Sequence, residues 1–371
     1  MRTEVIKVAG ETGVEEAAAR AAAALVQGKL VGFPTETVYG IAAIAVIPDA
    51  MERLRDLKSR PRMPFSVHLG RAEEVERYVS EIPQAARRVI NKAWPGPVTM
   101  LLPTGGRLAD TALQAAGLHD VLCWEDTIGL RCPRPAVTRQ MLIASEHPVV
   151  APSANPAGQP SPRAPAKVLE YFDGRIDMLI DAGQTDLGRD STIVKFGATG
   201  WDVVREGAVD RSVLAGLVRR KVVFVCTGNT CRSPLAEGLA RKFLAERAGV
   251  GPDELERAGL EVVSAGVYAA DGQPPTPEAI QAAGLMGADI SRHRSQKLTA
   301  ELIKSSDLVL CMTDMHLEVA RRLGDGTLAE IRKLDPTSDV PDPIGGGVEQ
   351  YIQTSQRLRS VIEGLMKKGC L

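Results

Sequence analysis

A chain of 371 residues is long for one hydrophobic core, so two domains are the first expectation. Hydrophobic residues at 44% and charged residues at 25% describe an ordinary globular composition. With 45 basic against 46 acidic residues the formal net charge is −1, which gives no support for bulk attraction to nucleic acid or to a membrane surface.

The opening MRTEVIKVAG lacks the apolar core of a secretory signal, and the longest apolar stretch, near residues 40–47, is too short to span a bilayer. Cys123, Cys132, Cys226, Cys231, Cys311 and Cys370 contain no C-x-x-C pair, and the histidines show no H-E-x-x-H pattern. Neither a zinc site nor a disulfide framework is expected, and a reducing cytoplasm is the expected compartment.

In chain order, the alanine-rich residues 15–24 read as a helix of good intrinsic propensity. Short apolar strands are expected at 30–33, 67–69, 98–102, 149–150, 178–180 and 192–196, separated by Pro- and Gly-rich loops and helical patterns. The pattern resets near residue 220: strands at 221–225, 261–264 and 308–312 are each followed by helical periodicity, as in parallel βαβ winding. The expected fold is α/β throughout, with a first domain at 1–215 and a doubly wound parallel-sheet domain at 216–371. The boundary falls within 211–220.

The densest chemistry follows the strand at 221–225. Cys226-Thr227-Gly228-Asn229-Thr230-Cys231-Arg232-Ser233-Pro234 places a cysteine six positions before an arginine, between a strand and a helix. Ser233 is expected to cap that helix and Pro234 to suit its first turn. The intervening amides can form a nest for phosphate oxygens at the positive end of the helix. In that field Cys226 is expected to have a lowered thiol pKa and to act as a nucleophile. Arg232 can grip two phosphate oxygens. A bare C-x5-R is otherwise a strand-end cysteine and a solvated arginine; the strand, proline and glycine around it favour the catalytic reading.

The stretch resembles the low-molecular-weight protein tyrosine phosphatase family to the end of the chain. Ser264-Ala265-Gly266, Asp289-Ile-Ser-Arg-His293, Asp307-Leu-Val-Leu-Cys-Met312 and Val340-Pro-Asp342-Pro-Ile-Gly-Gly346 carry the resemblance. It implies that Asp342 protonates the leaving group and later activates water, and that shielding from solvent helps it hold a proton. No cofactor is implied. It also implies that Cys231 can trap an oxidised Cys226 as a disulfide. Thr230 stands where tyrosine phosphatases of the family carry an apolar residue. The loop C-T-G-N-T-C-R-S looks instead like bacterial protein-arginine phosphatases, so a phosphoarginine protein is the expected substrate and a phosphotyrosine protein the alternative. Ile344 departs from the aromatic that many relatives place beside the substrate.

In the first domain, hydroxyls, amides and cations gather at strand ends: Phe33-Pro-Thr35-Glu-Thr37-Val-Tyr39-Gly40, Lys58-Ser-Arg60-Pro61, Pro64-Phe-Ser-Val-His68, Pro95-Gly-Pro-Val-Thr99, Ala151-Pro-Ser153-Ala-Asn155, Ser191-Thr192 and Arg205. Such groups bind phosphates and a carboxylate and suit chemistry done by positioning, although each motif alone is ordinary turn chemistry. In this order they resemble the YrdC/Sua5 family over roughly residues 12–210, with its α/β fold and twisted sheet. The resemblance implies an L-threonylcarbamoyl-AMP synthase using ATP, L-threonine and bicarbonate, with Mg2+ accompanying ATP. Its product serves tRNA threonylcarbamoyladenosine modification through separate transferase proteins. Lys58, Arg60, Ser153, Asn155 and Arg205 would hold the triphosphate, Thr35 and Thr37 the threonine or its carbamate, and Ser191-Thr192 the nucleotide side. Tyr39, His68 and Arg131 complete the candidate site. The segment Gly129-Leu-Arg131-Cys-Pro-Arg134-Pro carries arginine where relatives often have histidine. The alternative is a double-stranded-RNA-binding module without synthase activity, which the near-zero charge disfavours.

Overall fold

The computed structural model describes residues 2–8, 10–59, 63–197 and 200–371. The chain divides into two compact units, Met1–Gly216 and Leu217–Leu371. No helix among the described residues is long and apolar enough to cross a membrane.

The first unit contains strands β1 (Glu4–Lys7), β2 (Val31–Phe33), β3 (Gly40–Ile44), β4 (Val67–His68), β5 (Val98–Pro103), β6 (Cys123–Trp124), β7 (Thr127–Arg131), β8 (Val149–Val150), β9 (Met178–Asp181), β10 (Thr192–Phe196) and β11 (Trp201–Arg205). They form one mixed sheet in the order β1-β9-β2-β3-β8-β4-β7-β5-β10-β11, with β6 paired to β7. The alanine-rich helix runs further than its richest stretch, Gly10–Val26. Its small side chains at Ala17, Ala18 and Ala21, with Leu25, pack on Val31, Phe33, Ala42, Ile44 and Ile180. Small residues on the helix allow the close approach that a short-stranded sheet requires. β3 escaped sequence reading because Gly-Ile-Ala-Ala is buried throughout and lacks a period of two, and β7 because its alternation is short and carries a glycine, which weakens a strand signal.

This topology brings several strand ends to one place. His68, the last residue of β4, pairs in parallel register with Arg131, the last of β7. β10 runs parallel to β5, with Thr192 opposite Val98. Gly40 opens β3 and bridges to Ser153 beyond β8. A Cβ on Gly40 would lie 2.9 Å from the Phe33 ring, so only glycine allows this crossing.

The second unit is a four-stranded, wholly parallel sheet: β12 (Arg220–Cys226), β13 (Leu260–Gly266), β14 (Leu308–Cys311) and β15 (Glu330–Lys333), ordered β13-β12-β14-β15. β12 is central and buried on both faces, which explains its unbroken apolar run. Val222, Phe224 and Cys226 face the helices Arg232–Ala248 and Val348–Lys367, packing with Leu235, Leu239, Tyr351 and Leu358. Val223 and Val225 face the other layer, with Leu298, Ile303 and Ala320. Helices on both faces make the sheet doubly wound, with its catalytic-loop candidate at the C-terminal end of β12.

Candidate active sites

In the second unit the loop between β12 and the helix Arg232–Ala248 wraps the Cys226 sulfur. Asn229 N–H donates to Sγ over 3.2 Å, and Ser233 Oγ lies 2.9 Å from it. Ser233 does not cap the helix, contrary to the sequence reading. The cap position is Cys231, without a side-chain bond, so Ser233 falls inside the first turn and turns its hydroxyl to the thiol. Pro234 follows in the same turn.

The turn holds Asn229 at φ 57°, a left-handed conformation that asparagine tolerates better than most residues. Its side chain is buried and fully engaged. Nδ2 donates to Ser233 Oγ (2.9 Å) and Ser264 Oγ (2.8 Å), and Oδ1 accepts from Gln296 N–H (2.8 Å). Ser264 donates to Glu237 (2.7 Å), which lies 3.5 Å from His293, and His293 Nε2 is 2.9 Å from the Asn229 carbonyl. The S-A-G and D-I-S-x-H segments therefore buttress the loop. Gly266 must be glycine because a Cβ there would sit 2.5 Å from the Thr227 carbonyl.

Arg232 is buried and aimed by three partners: Val340 O and Thr227 Oγ1, each at 3.2 Å, and the Asp342 carboxylate. Asp342 is not shielded from solvent as expected, its side chain being 41% exposed; the short Asp-Pro turn leaves it at the surface, held by Arg232. The thiol also differs from expectation. Burial pushes Cys226 up from its ordinary pKa, outweighing the lowering pull of Ser233, Asn229 and Arg232. Among the described residues, the Thr230 hydroxyl contacts the soft Cys231 sulfur at 3.6 Å, and Gly228 lies alongside it. Cys231 itself approaches Tyr351 OH at 3.4 Å. Tyr268, 69% exposed, was not anticipated; its amide donates to the Thr227 carbonyl (3.0 Å), tying it to the loop.

In the first unit a cavity of about 570 Å³ collects Thr35, Tyr39, Lys58, His68, Arg131, Ser153, Asn155, Ser191 and Arg205. Arg60 lies outside the described residues. Lys58 closes the helix Pro48–Lys58 and is buried, its ammonium donating to Ser153 O (2.7 Å), Asn155 O and Asn155 Oδ1 (3.3 Å). Ser153 Oγ donates to the same Oδ1 (2.5 Å). The lysine thus shapes the P-S-A-N loop as well as charging the cavity.

Thr35 and Thr37 are less available than their motif implied. Thr35 Oγ1 closes a local turn, accepting from Thr37 and Val38 amides (3.1 Å each) and donating to Val38 O (2.6 Å). Thr37 is wholly buried beyond the cavity lining, its hydroxyl receiving Arg131 Nη2 at 2.7 Å. The same Nη2 pairs at 2.7 Å with Glu36, whose side chain is 0% exposed. Glu36 also accepts the Arg134 amide (2.8 Å), so the backbone of Arg134 contributes there while its side chain pairs with Asp186. Glu36 was readable only as a letter inside P-T-E-T.

His68 stands edge-on to Phe33, with Nδ1 3.2 Å from Ser66 O; burial and nearby Arg131 lower its pKa to about 3, so it is neutral. Tyr39 OH donates to Gly183 O (2.7 Å), and burial raises it to about 12. Arg205 Nη2 donates to the Ser191 carbonyl (2.8 Å) and hydroxyl (3.1 Å), and Ser191 Oγ is 2.8 Å from Thr99, a further lining residue. Thr192 does not reach the cavity: strand alternation turns it away, and its hydroxyl exchanges bonds with the Val209 amide and carbonyl. Asp190, bound by Ser161 at 2.8 Å, is the carboxylate among the described lining residues.

One unit thus presents a cysteine-phosphatase loop, and the other a cation- and hydroxyl-lined α/β cavity. Comparison with known proteins agrees with that division. The Sua5/YciO/YrdC family, described under telomere recombination, matches residues 23–207, and the low molecular weight phosphotyrosine protein phosphatase family matches residues 221–368. The chain belongs to both families, one through each unit. A threonylcarbamoyl-AMP synthase of Pyrococcus abyssi is 37% identical over 52% of this chain and 54% of its own length. A protein-arginine-phosphatase of Bacillus subtilis is 40% identical over 40% of this chain and 95% of its own. A solved structure of a P. abyssi Sua5 variant aligns with TM-score 0.50 at 27% identity, over 72% of this chain and 91% of that one. The chain spans about half the length of the synthases it matches first, 54% and 56%. It carries a synthase-like and a low-molecular-weight phosphatase-like domain.

Proposed function

We propose that the chain is a bifunctional enzyme of the cytoplasm. Its first unit makes L-threonylcarbamoyl-AMP from threonine, bicarbonate and ATP, for tRNA threonylcarbamoyladenosine modification by separate transferases. The cavity around Lys58 supports this reading: cations and hydroxyls converge there from several strand ends. The threonine amine and bicarbonate combine to a carbamate with loss of water. A carbamate oxygen then attacks the α-phosphorus of ATP, and pyrophosphate leaves. Lys58, Arg205, Ser153 and Asn155, with Arg60, hold the triphosphate, Ser191 faces the nucleotide, and Thr35 the threonine; Thr37 acts through Arg131. Magnesium enters with ATP as counter-ion to the phosphates. Threonine-dependent pyrophosphate release from ATP and bicarbonate tests the reading; pyrophosphate that does not depend on threonine refutes it.

The second unit, on this proposal, hydrolyses phosphoarginine in proteins. Cys226, Arg232 and Asp342 carry the reading, converging on one loop. As substrate enters, Arg232 exchanges Asp342 for phosphate oxygens, the freed Asp342 carboxylate takes up a proton from solvent, and the thiol proton passes to a phosphate oxygen. Sulfur attacks phosphorus, the P–N bond breaks, and Asp342 protonates the departing guanidino nitrogen. Asp342 then takes a proton from water, which cleaves the phosphocysteine and releases phosphate. The Thr230 hydroxyl, bound only softly by Cys231, supports a polar leaving group. Parallel assays on phosphoarginine- and phosphotyrosine-bearing protein decide it: faster phosphotyrosine hydrolysis overturns the substrate assignment.

A further inference from the structure

His316 lies in the first turn of the helix Asp314–Leu323 and is completely buried. Nδ1 is 2.8 Å from Thr313 Oγ1, and Nε2 is 2.9 Å from Thr227 Oγ1. Thr227 directly follows Cys226, and its hydroxyl oxygen also receives Arg232 Nη2 at 3.2 Å. A guanidinium has no acceptor, so Thr227 Oγ1 must accept from Arg232. The Thr227 proton then needs an acceptor of its own, and His316 Nε2 supplies one. That assignment puts the imidazole proton on Nδ1, facing Thr313, whose hydroxyl also caps the helix through the His316 amide at 3.4 Å.

Burial, then the Arg232 charge, push His316 down to about 4, against the raising pull of Asp342 and Asp339. The ring is neutral at working pH and keeps its lone pair for Thr227. We propose that His316 is a positioning residue for phosphoryl transfer: by accepting the Thr227 hydroxyl proton it fixes the oxygen that orients Arg232. The inference rests on the phosphatase reading of this unit. Its importance grows when substrate arrives, because Arg232 then gives up Asp342 and keeps Thr227 and Val340 as its protein partners.

The test is a double-mutant cycle on the full chain with wild type, His316→Ala, Thr227→Val and the pair, plus His316→Gln. Para-nitrophenyl phosphate hydrolysis and calorimetric binding of inorganic phosphate are both read. Each single change lowers kcat/KM by about 10- to 100-fold, the range of a hydrogen bond to a charged group, and weakens phosphate binding. The double variant loses no more than the worse single, and His316→Gln, which keeps an acceptor and a donor, recovers part of the loss. Losses that multiply, or His316→Ala within about twofold of wild type, overturn the proposal. Should His316→Ala not fold, as judged by thermal melting, the same cycle is run with His316→Leu, which fills the buried space and offers no acceptor. A wild type that hydrolyses no phosphate ester refutes the phosphatase reading instead, and the phosphate-binding cycle then decides the role of His316.

Discussion

The two sites are built in opposite ways. In the second unit eight consecutive residues, Cys226 to Ser233, supply the proposed nucleophile, the proposed anion nest and the arginine, and three distant segments brace them. In the first unit the cavity is assembled from separate strand ends, and its polar groups hold one another: Lys58 on the Ser153–Asn155 loop, Arg131 on Glu36 and Thr37, Arg205 on Ser191. A contiguous loop concentrates chemistry in one atom. A dispersed cavity spreads it across a scaffold, so substitutions there act on binding and stability together.

The sharpest break of that contrast is Cys226→Ser. It should reduce phosphate-ester turnover on the order of 10⁴-fold or more while inorganic phosphate still binds, because the nest amides and Arg232 remain. Ser233→Ala, which removes one of the contacts that lower the thiol pKa, should move Cys226 further up. Iodoacetamide alkylation, followed against pH, should then need higher pH in the variant than in wild type. Equal profiles would detach Ser233 from the nucleophile.

The scaffold of the first unit offers the next largest effect. Glu36→Gln leaves Arg131 buried with its charge uncompensated, and breaking such a pair costs about 3–5 kcal/mol. Thermal unfolding of that unit should fall accordingly, and a shift below about 1 kcal/mol would show that the pair carries little.

How legible each site was follows the same division. The phosphatase loop could be read because β12, Cys226 and Arg232 are adjacent in sequence and each constrains the next. Where it misleads, the reasons are local and physical: Ser233 reads as a cap, but the cap lies two residues earlier at Cys231, and the desolvation of Cys226 outweighs the helix field. The cavity was legible as a set of motifs, yet not in its internal pairing. Nothing in P-T-E-T shows that Glu36 is the buried partner of Arg131, or that Thr37 sits behind the wall. Strand parity separated Ser191 from Thr192, one facing the cavity and one facing Val209. The sheet order, with β8 between β3 and β4, depends on long-range pairing that local periodicity does not encode.

Both units contain a buried neutral histidine, so acid should weaken both. His68 is lowered to about 3 and His316 to about 4, each below its unfolded value near 6.5. The unfolded chain therefore binds more protons between those values, and stability falls as pH drops from about 6.5 towards the folded pKa, by up to ~1.4 kcal/mol per pH unit for each proton. Denaturant melts at pH 7 and pH 5 measure it. His68→Gln should flatten the dependence of the first unit and leave that of the second; a slope unchanged in both would reassign the acid sensitivity to other groups.

The smallest and most selective effect is expected at Thr230. Its hydroxyl meets Cys231 at 3.6 Å, a weak contact, so replacing it should disturb the loop little. Isoleucine adds apolar bulk and removes a hydroxyl from the proposed phosphate loop. A polar guanidino leaving group should lose more by this than an aromatic ring, because discrimination depends on the difference between the two substrates rather than on either affinity. Thr230→Ile should therefore lower the phosphoarginine-to-phosphotyrosine ratio of kcat/KM by roughly 10-fold, mostly through slower phosphoarginine hydrolysis. Because Arg232, Cys226 and Asp342 are untouched, hydrolysis of para-nitrophenyl phosphate serves as the internal standard. A ratio that stays fixed while both activities fall together would make Thr230 part of the loop's structure, and selectivity would then have to come from the exposed rim at Tyr268 and Ile344.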